Sequence, residues 1–177
     1  MSLKHHFEWM AIYNQWMNAK LYEASSRLDA ETLHADKGAF FGSVFGTLHH
    51  LLRADTIGLK HFANHPAAFR ALEPIRSMPH PYAQAELLHA EFDTLRAARL
   101  ALDDIIISLS LEATDATYQQ PLTYTNRSGR VFTKALGPLM QHFFNHQTHH
   151  RGQATTLLSQ AGIDVGVTDL LALVPDE

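Results

Sequence analysis

Four long segments with helical spacing of apolar side chains most constrain the fold of this chain. They cover residues 3–28, 43–62, 82–110 and 134–160, and within each the apolar residues recur three or four positions apart. This spacing places them on one face of a helix, and that face must be buried against a neighbour. We therefore predict an all-α fold, a four-helix bundle with the apolar faces turned inward.

The segments between the predicted helices carry turn and strand signals. Asp29 is suited to capping a short turn after the first helix, and Ser43 is suited to be the N-cap of the second. Residues 64–81 contain four prolines, so they do not form one helix. Alternating side chains around an Asn-Arg-Ser-Gly turn predict a small β-hairpin at residues 120–133, between the third and fourth helices. Gly162 is expected to end the fourth helix.

Size, composition and charge narrow the class of protein. The 177 residues are 46% apolar and 18% charged, which indicates a folded chain, and we predict a single domain over residues 1–177. The net charge is −4 and the 14 Lys and Arg are scattered, so neither nucleic acid nor a membrane surface is expected as a partner. No run approaches the ~18 apolar residues of a membrane span, and the N-terminus lacks an apolar signal segment, so we predict a cytoplasmic protein.

Histidine, and not cysteine, carries the metal-binding potential of the chain. There is no cysteine, which excludes disulfides, thiolate metal sites and cysteine nucleophiles, whereas four of the thirteen histidines lie in HFFNHQTHHRGQ, residues 142–153. His146 and His150 are about 40° apart on a helix and lie within its apolar arc, while His142 and His149 fall at its edge. Two imidazoles at i and i+4 suit a divalent ion. A core histidine also satisfies its N–H on a neighbouring helix, so the pair alone leaves both interpretations open.

The second helix offers a third histidine, because His49 and His50 are adjacent there. Catalytic zinc sites typically use three protein ligands and a water. The small residues Ser43, Thr47 and Ala54 lie on the side of His50, which leaves room for a neighbouring helix, and His49 faces about 100° away. Periodicity favours His50 without excluding His49.

The chain also resembles a known family. Its segments GAFFGSVFGTLHHLLRAD, YTNRSG and NHQTHHRGQ are similar to those of the DinB/YfiT-like family of four-helix-bundle proteins, which are regarded as metalloenzymes, and the resemblance covers nearly the whole chain. In that family a histidine five residues before an aspartate joins the two histidines of an H-x3-H-R-G-Q element around one divalent ion. By position, the resemblance implies that His50, five residues before Asp55, together with His146 and His150, binds the metal. It also implies a homodimer, since relatives commonly pair.

Three positions depart from the family pattern. Gly58 stands where tryptophan is usual, His49 replaces a common asparagine, and Phe45 occupies a place often held by histidine. The three implied ligands are unchanged, but the wall of the pocket differs. The resemblance therefore implies a metal site and leaves the substrate open.

The implied site suits catalysis at an open coordination position. Three neutral imidazoles leave room for a water that a divalent ion activates, and some relatives are thiol-dependent transferases or isomerases. We expect a metal-dependent enzyme of hydrolase or thiol-transferase type, acting on a small molecule, with a low-molecular-weight thiol as candidate cosubstrate. Zinc is the first candidate for a histidine-only site, and nickel and iron are alternatives. The alternative function is a non-catalytic structural or interaction domain, in which a closed site with a fourth protein ligand staples two helices.

Other polar residues of the predicted helices have less specific roles. Glu8, Asp55 and Glu91 are candidates for a general base, but solvated or salt-bridged roles are favoured for all three. Arg151 faces away from the metal direction, which favours a structural role. Gln153 lies close to that direction, so its amide is a candidate to orient a ligand or the bound water.

Overall fold

The computed structural model describes residues 1–81 and 89–176, and it is mostly helical with one small antiparallel sheet. Among the described residues, the helices and strands are α1 Leu3–Ser25, α2 Ala30–His34, α3 Val44–Phe62, α4 Glu73–Ser77, α5 Phe92–Glu112, α6 Asp115–Gln119, β1 Pro121–Thr125, β2 Val131–Ala135 and α7 Leu136–Gln160. Short 3-10 helices cover Arg70–Leu72 and Leu170–Leu173. In this part of the chain, none of the helices combines the length and apolarity needed to cross a bilayer.

The four long helices enclose the hydrophobic core. α1 packs against α5 and α7, and α3 packs against the same two helices from the other side. Each long helix contributes large apolar side chains that are fully buried, such as Leu21, Leu48, Ile106 and Phe144. Burial of each such side chain is worth about 1.5–3 kcal/mol. The apolar faces predicted from the sequence therefore meet in one core.

Most of the predicted helix ends are confirmed. The Ser43 side chain accepts a hydrogen bond from the Gly46 N–H at 3.0 Å, and the Asp29 side chain accepts one from the Thr32 N–H at 2.7 Å. These contacts satisfy backbone donors that the first turn leaves without partners. The C-terminal end of α7 is followed by Gly162, which has a φ of 78°, the left-handed conformation that glycine adopts readily.

Two predicted helix boundaries are wrong. α1 ends at Ser25 and not near Leu28, because the Leu28 N–H bonds back to the Ser25 carbonyl at 3.1 Å in a turn that precedes the N-cap Asp29. α5 begins at Phe92 and not near Tyr82. Residues 82–88, which include the predicted core position Leu88, lie outside the described residues, and residues 89–91 are not helical. Helix-favouring alanine, leucine and glutamate continue across this boundary, so composition gives no start signal there.

The predicted hairpin is confirmed. Its strands pair from Pro121 opposite Ala135 to Thr125 opposite Val131. In the turn, the side-chain oxygen of Asn126 accepts hydrogen bonds from the backbone N–H groups of residues 128 and 130, at 3.1 and 2.9 Å. Because β2 leads directly into α7, the hairpin lies beside one end of the α3–α7 pair.

A buried polar network, consisting of Asn14, Asp55, Arg99, Asp103 and Arg151, connects all four long helices. Arg99 of α5 pairs with Asp55 of α3 and, at 2.8 Å, with Asp103 on its own helix. Asp103 also accepts a hydrogen bond from the Asn14 side chain of α1 at 3.0 Å. The Arg151 guanidinium of α7 donates to the Asn14 side-chain oxygen. Since all five residues are at most 2% exposed, the network lies inside the core.

The charges of this network balance, with two arginines against two aspartates. Burial raises the pKa of Asp103 to about 6 and also raises the pKa of Asp55, while the positive charge of Arg99 opposes both shifts. Each carboxylate therefore depends on its arginine to stay charged in the core. Loss of one partner leaves the other charge buried without compensation, which costs more than the pair itself contributes.

We expect Arg99→Met to lower the free energy of unfolding by about 3–5 kcal/mol, because two buried aspartates lose their partner. Arg96→Met is the matched control on the same helix, since Arg96 forms a partly exposed ion pair with Glu23 at 3.1 Å. This control should lose about 1 kcal/mol or less. Urea unfolding at pH 7 measures both variants, and equal losses would contradict a special role for the buried network.

Candidate metal centre

Three histidine side chains converge between α3 and α7. His50 projects from α3, and His146 and His150 project from consecutive turns of α7. The Nε2 atom of His146 lies 3.3 Å from that of His50 and 3.0 Å from that of His150. All three rings are partly buried, and their candidate ligand atoms lie within 4.8 Å of one another. The structure thus brings together the three residues that the resemblance implied.

The spacing of these nitrogen atoms fits a divalent ion. Zn–N bonds are about 2.0–2.1 Å, so two nitrogens of a tetrahedral site lie roughly 3.3 Å apart. The two observed separations, 3.3 and 3.0 Å, are close to this value. Within residues 1–81 and 89–176, no other histidine, aspartate or glutamate joins this cluster. The described side chains therefore supply three candidate ligands, one fewer than a tetrahedral ion needs.

The surroundings of the three rings favour metal binding. Burial, together with the neighbouring imidazoles, lowers the pKa of His50 and of His146 to about 4, so both rings are neutral at pH 7. The Nδ1 atom of His150 lies 2.7 Å from the side-chain oxygen of Gln153. When Nδ1–H donates to this oxygen, the lone pair of His150 is on Nε2 and faces the other two histidines. Gln153 thus contacts a candidate ligand, as predicted.

Phe41 covers one side of the cluster. Its ring stacks on His50 with a centroid separation of 3.8 Å and meets His150 edge-on at 5.2 Å. Phe41 is partly buried, whereas the preceding Phe40 is 88% exposed. The sequence reasoning missed this contact, although two adjacent aromatic residues between glycines in GAFFGS are an unusual loop composition. Phe41 shields this side of the candidate ligands from water.

A cavity of about 230 Å³ adjoins the cluster at His146. It lies between α3 and α7, and its lining includes Gly58, Phe143 and, near the hairpin, His61 and Tyr124. A Cβ atom on Gly58 would lie 3.0 Å from Cδ2 of Phe143. The glycine that departs from the family pattern therefore allows Phe143 to approach α3 closely. A small molecule has access to the cluster from this side.

The remaining histidines near the cluster do not join it. His49 is 6% exposed and faces Phe45, with a ring separation of 6.3 Å. His142 and His149 are exposed, as their angular positions predicted, although His142 also contributes to the lining of the cavity. Among the two adjacent histidines of α3, the structure places His50 in the cluster.

The candidate general bases occupy the structural environments that were favoured for them. Glu8 pairs at 3.0 Å with a lysine one turn earlier in α1, and Asp55 pairs with Arg99. Glu91 is exposed at the N-terminus of α5. Arg151 points into the buried polar network and not toward the cluster, which agrees with its predicted structural role. Asp55 also lines the cavity, but its carboxylate is already paired.

Substitution of the candidate ligands should remove bound metal. We expect His50→Ala and His150→Ala each to lose most of it, because two imidazoles hold a divalent ion much less tightly than three. The matched controls His142→Ala and His149→Ala remove a histidine from the same helix outside the cluster and should keep nearly one ion per chain. Elemental analysis of the purified proteins after dialysis measures the difference.

A second comparison tests which histidine of α3 takes part. If His49→Ala loses the metal and His50→Ala retains it, the assignment on α3 is wrong by one residue. Full retention in the triple alanine variant of His50, His146 and His150 would reject the site.

Gln153→Ala should weaken metal binding without abolishing it. The substitution removes the hydrogen-bond partner that orients His150, and such outer contacts are typically worth about 10–100-fold in metal affinity. Gln141→Ala is the control, because Gln141 bonds Asn145 on the same helix and does not touch the cluster. Competition with a chromogenic chelator measures both affinities, and equal values would show that Gln153 does not orient His150.

Comparison with known proteins identifies the family of the chain. The DinB family model matches residues 1–175. A protein named Protein DinB from Bacillus subtilis (strain 168) is 25% identical over 162 residues, which cover 89% of this chain and 87% of that protein. No solved structure matches the chain significantly. Because the family match covers almost every residue, this chain belongs to the DinB family.

Proposed function

We propose that the chain is a metal-dependent enzyme of hydrolase or thiol-transferase type, with His50, His146 and His150 as its metal ligands. The observation that carries this proposal is the convergence of three imidazole nitrogens beside a cavity, with no fourth histidine, aspartate or glutamate in the cluster among the described residues. Catalytic metal sites keep such an open position, whereas structural sites fill it with a fourth protein ligand. Membership of the DinB family supports metal binding and leaves the reaction open.

The side chains around the site prepare it for this chemistry. A divalent ion held there supplies Lewis-acid chemistry, since it lowers the pKa of a coordinated water or thiol and polarises a coordinated oxygen. His50 and His146 stay neutral at pH 7 because burial lowers their pKa. Phe41, which is not part of the cavity lining, covers one face of His50. A thiol has to come from a cosubstrate, because the chain has no cysteine.

A structural metal site is the second candidate. The three histidines belong to α3 and α7, so a bound ion also joins these helices. A stapling role alone does not explain why the cluster faces a cavity at His146. The two functions differ in whether an added molecule reaches the ion, and this difference is measurable.

The identity of the ion is proposed from its ligand set. Imidazole nitrogen suits zinc, nickel and iron, and the nitrogen separations of 3.3 and 3.0 Å suit a tetrahedral zinc site. Zinc is therefore the first candidate, and elemental analysis of protein purified without added metal distinguishes the three.

Cobalt(II) substitution tests the open position. We expect the cobalt-loaded protein to develop a sulfur-to-cobalt charge-transfer band in the near ultraviolet when 2-mercaptoethanol is added, and to change its visible spectrum with azide. The His150→Ala variant should show neither change. Ester hydrolysis and the displacement of chloride from 1-chloro-2,4-dinitrobenzene by a thiol are then compared in apo and metal-loaded protein, and the proposed enzyme accelerates one of them only when loaded.

The spectra also identify the contrary case. A cobalt protein whose spectrum responds to neither thiol nor azide has a closed site, and that result would favour the structural role. If the spectrum responds but neither reaction depends on the metal, the open coordination position is supported and the two proposed reaction types are wrong.

Three further proposals concern the architecture, the assembly and the location of the protein. The packing of the four long helices supports a four-helix bundle as the architecture of the chain. A homodimer is supported by exposed apolar side chains, including Ile12 at 45% and Leu111 at 60%. A cytoplasmic location remains a prediction from the sequence.

A further inference from the structure

We infer that the cavity beside His146 selects an uncharged substrate with an apolar body about the size of one ring. This inference rests on the proposed function, since it names the class of molecule that reaches the open position. It is carried by the size of the cavity, by its walls, and by the charges around it.

The volume of the cavity limits the size of its occupant. At about 230 Å³ it is smaller than the roughly 300–1,000 Å³ typical of pockets for drug-sized ligands. One six-membered ring with short substituents fits this space, since a cavity of about 150 Å³ already holds benzene.

Apolar groups form the walls of the cavity. Ile57 and Gly58 line it from α3, and Leu139 and Phe143 line it from α7. Gly58 sets the width, because a Cβ atom there would lie within 3.0–3.2 Å of two Phe143 ring carbons. Any larger side chain at this position must displace the Phe143 ring or enter the cavity.

The charges around the cavity disfavour ionic substrates. The described lining residues include no lysine or arginine, so a carboxylate or phosphate entering the cavity finds neither of these partners among them. Among the same residues Asp55 is the one carboxylate, and it is already paired with Arg99 in the core. Burial, together with the nearby His80, lowers the pKa of His61, which keeps that imidazole neutral at pH 7. Ionic groups would lose hydration here without gaining a partner.

The far end of the cavity offers neutral hydrogen-bonding groups. His61 and the hairpin residue Tyr124 lie there with ring centroids 4.9 Å apart, and Asn126 is also part of the lining. His61 is eleven residues after His50 on the same helix, which is roughly 16 Å along its axis. A bound molecule therefore places its metal-binding atom at His146, its ring along Phe143, and any neutral polar substituent toward His61 and Tyr124.

Three hydroxamates with the same metal-binding group test this inference. Acetohydroxamate carries a methyl group, benzohydroxamate a phenyl ring, and 4-carboxybenzohydroxamate a charged ring. We expect cobalt-loaded protein to bind benzohydroxamate about 10–100-fold more tightly than acetohydroxamate, because the ring is buried against apolar walls. The carboxylated ring should lose most of this gain. Visible absorption titrations give the three dissociation constants.

Two variants locate the selectivity in the cavity. Gly58→Leu should reduce the preference for benzohydroxamate over acetohydroxamate to about threefold or less, because its side chain competes for the ring site. Tyr124→Ala should reduce the preference several-fold, and it keeps the test valid if Gly58→Leu does not fold. Val131→Ala is the control in the same hairpin, since Val131 is 61% exposed and does not line the cavity, and it should leave the preference unchanged.

The outcomes separate this inference from the proposed function. If acetohydroxamate fails to bind the loaded protein, the open metal position is wrong and the proposed function fails. If acetohydroxamate binds but the phenyl ring brings no gain, or if the carboxylated ring binds as tightly as the neutral one, the metal site stands and the substrate class is wrong. A preference that persists in both Gly58→Leu and Tyr124→Ala would place the ring outside this cavity.

Discussion

The ion pair between Arg99 and Asp55 is the interaction on which the arrangement of the helices depends. It joins α5 to α3 in the core, and the contacts of Asp103 and Asn14 extend the connection to α1. Arg151 then links α1 to α7. Charged and amide groups need partners at defined positions and angles, so they restrict which faces of the helices meet more strongly than apolar side chains do. The buried network therefore fixes the relative rotation of the helices that carry the histidines.

The histidine cluster completes this connection, because it lies between the two helices at the ends of the network. Asp55 is five residues after His50 on α3, and Arg151 directly follows His150 on α7. On each helix the network residue and the ligand are near each other along the axis but point in different directions. A shift of either helix would disturb both sets of contacts at once. The network inside the core thus positions three imidazoles at the partly exposed edge, where a site needs side chains held within a fraction of an ångström.

The features that were predictable from the sequence are those that local chemistry determines. Helical periodicity, the N-cap Ser43 and the Asn-Arg-Ser-Gly turn act over a few residues, and the structure agrees with each. The pairing of His146 with His150 also follows from one helix, whereas the choice of His50 needed the family resemblance. The buried network was missed, although its signal was present: Arg99 is four residues after Leu95 and so lies on the core face of α5. The Phe41 contact and the cavity depend on distances between segments far apart in the chain, and no local pattern encodes these.

The proposed metal site and the proposed substrate depend on different residues of this chain, so one can change without the other. The three histidines are positioned by helix periodicity and by the network behind them, so we expect substitutions along the cavity to leave them in place. Gly58 lies more than two helical turns after His50, and Phe143 lies about one turn before His146. Neither residue takes part in the buried network. Among the described residues, a Cβ atom on Gly58 would meet Phe143 within 4 Å and neither His50 nor His146. Family membership therefore fits metal binding, while the proposed choice of substrate rests on the cavity of this chain.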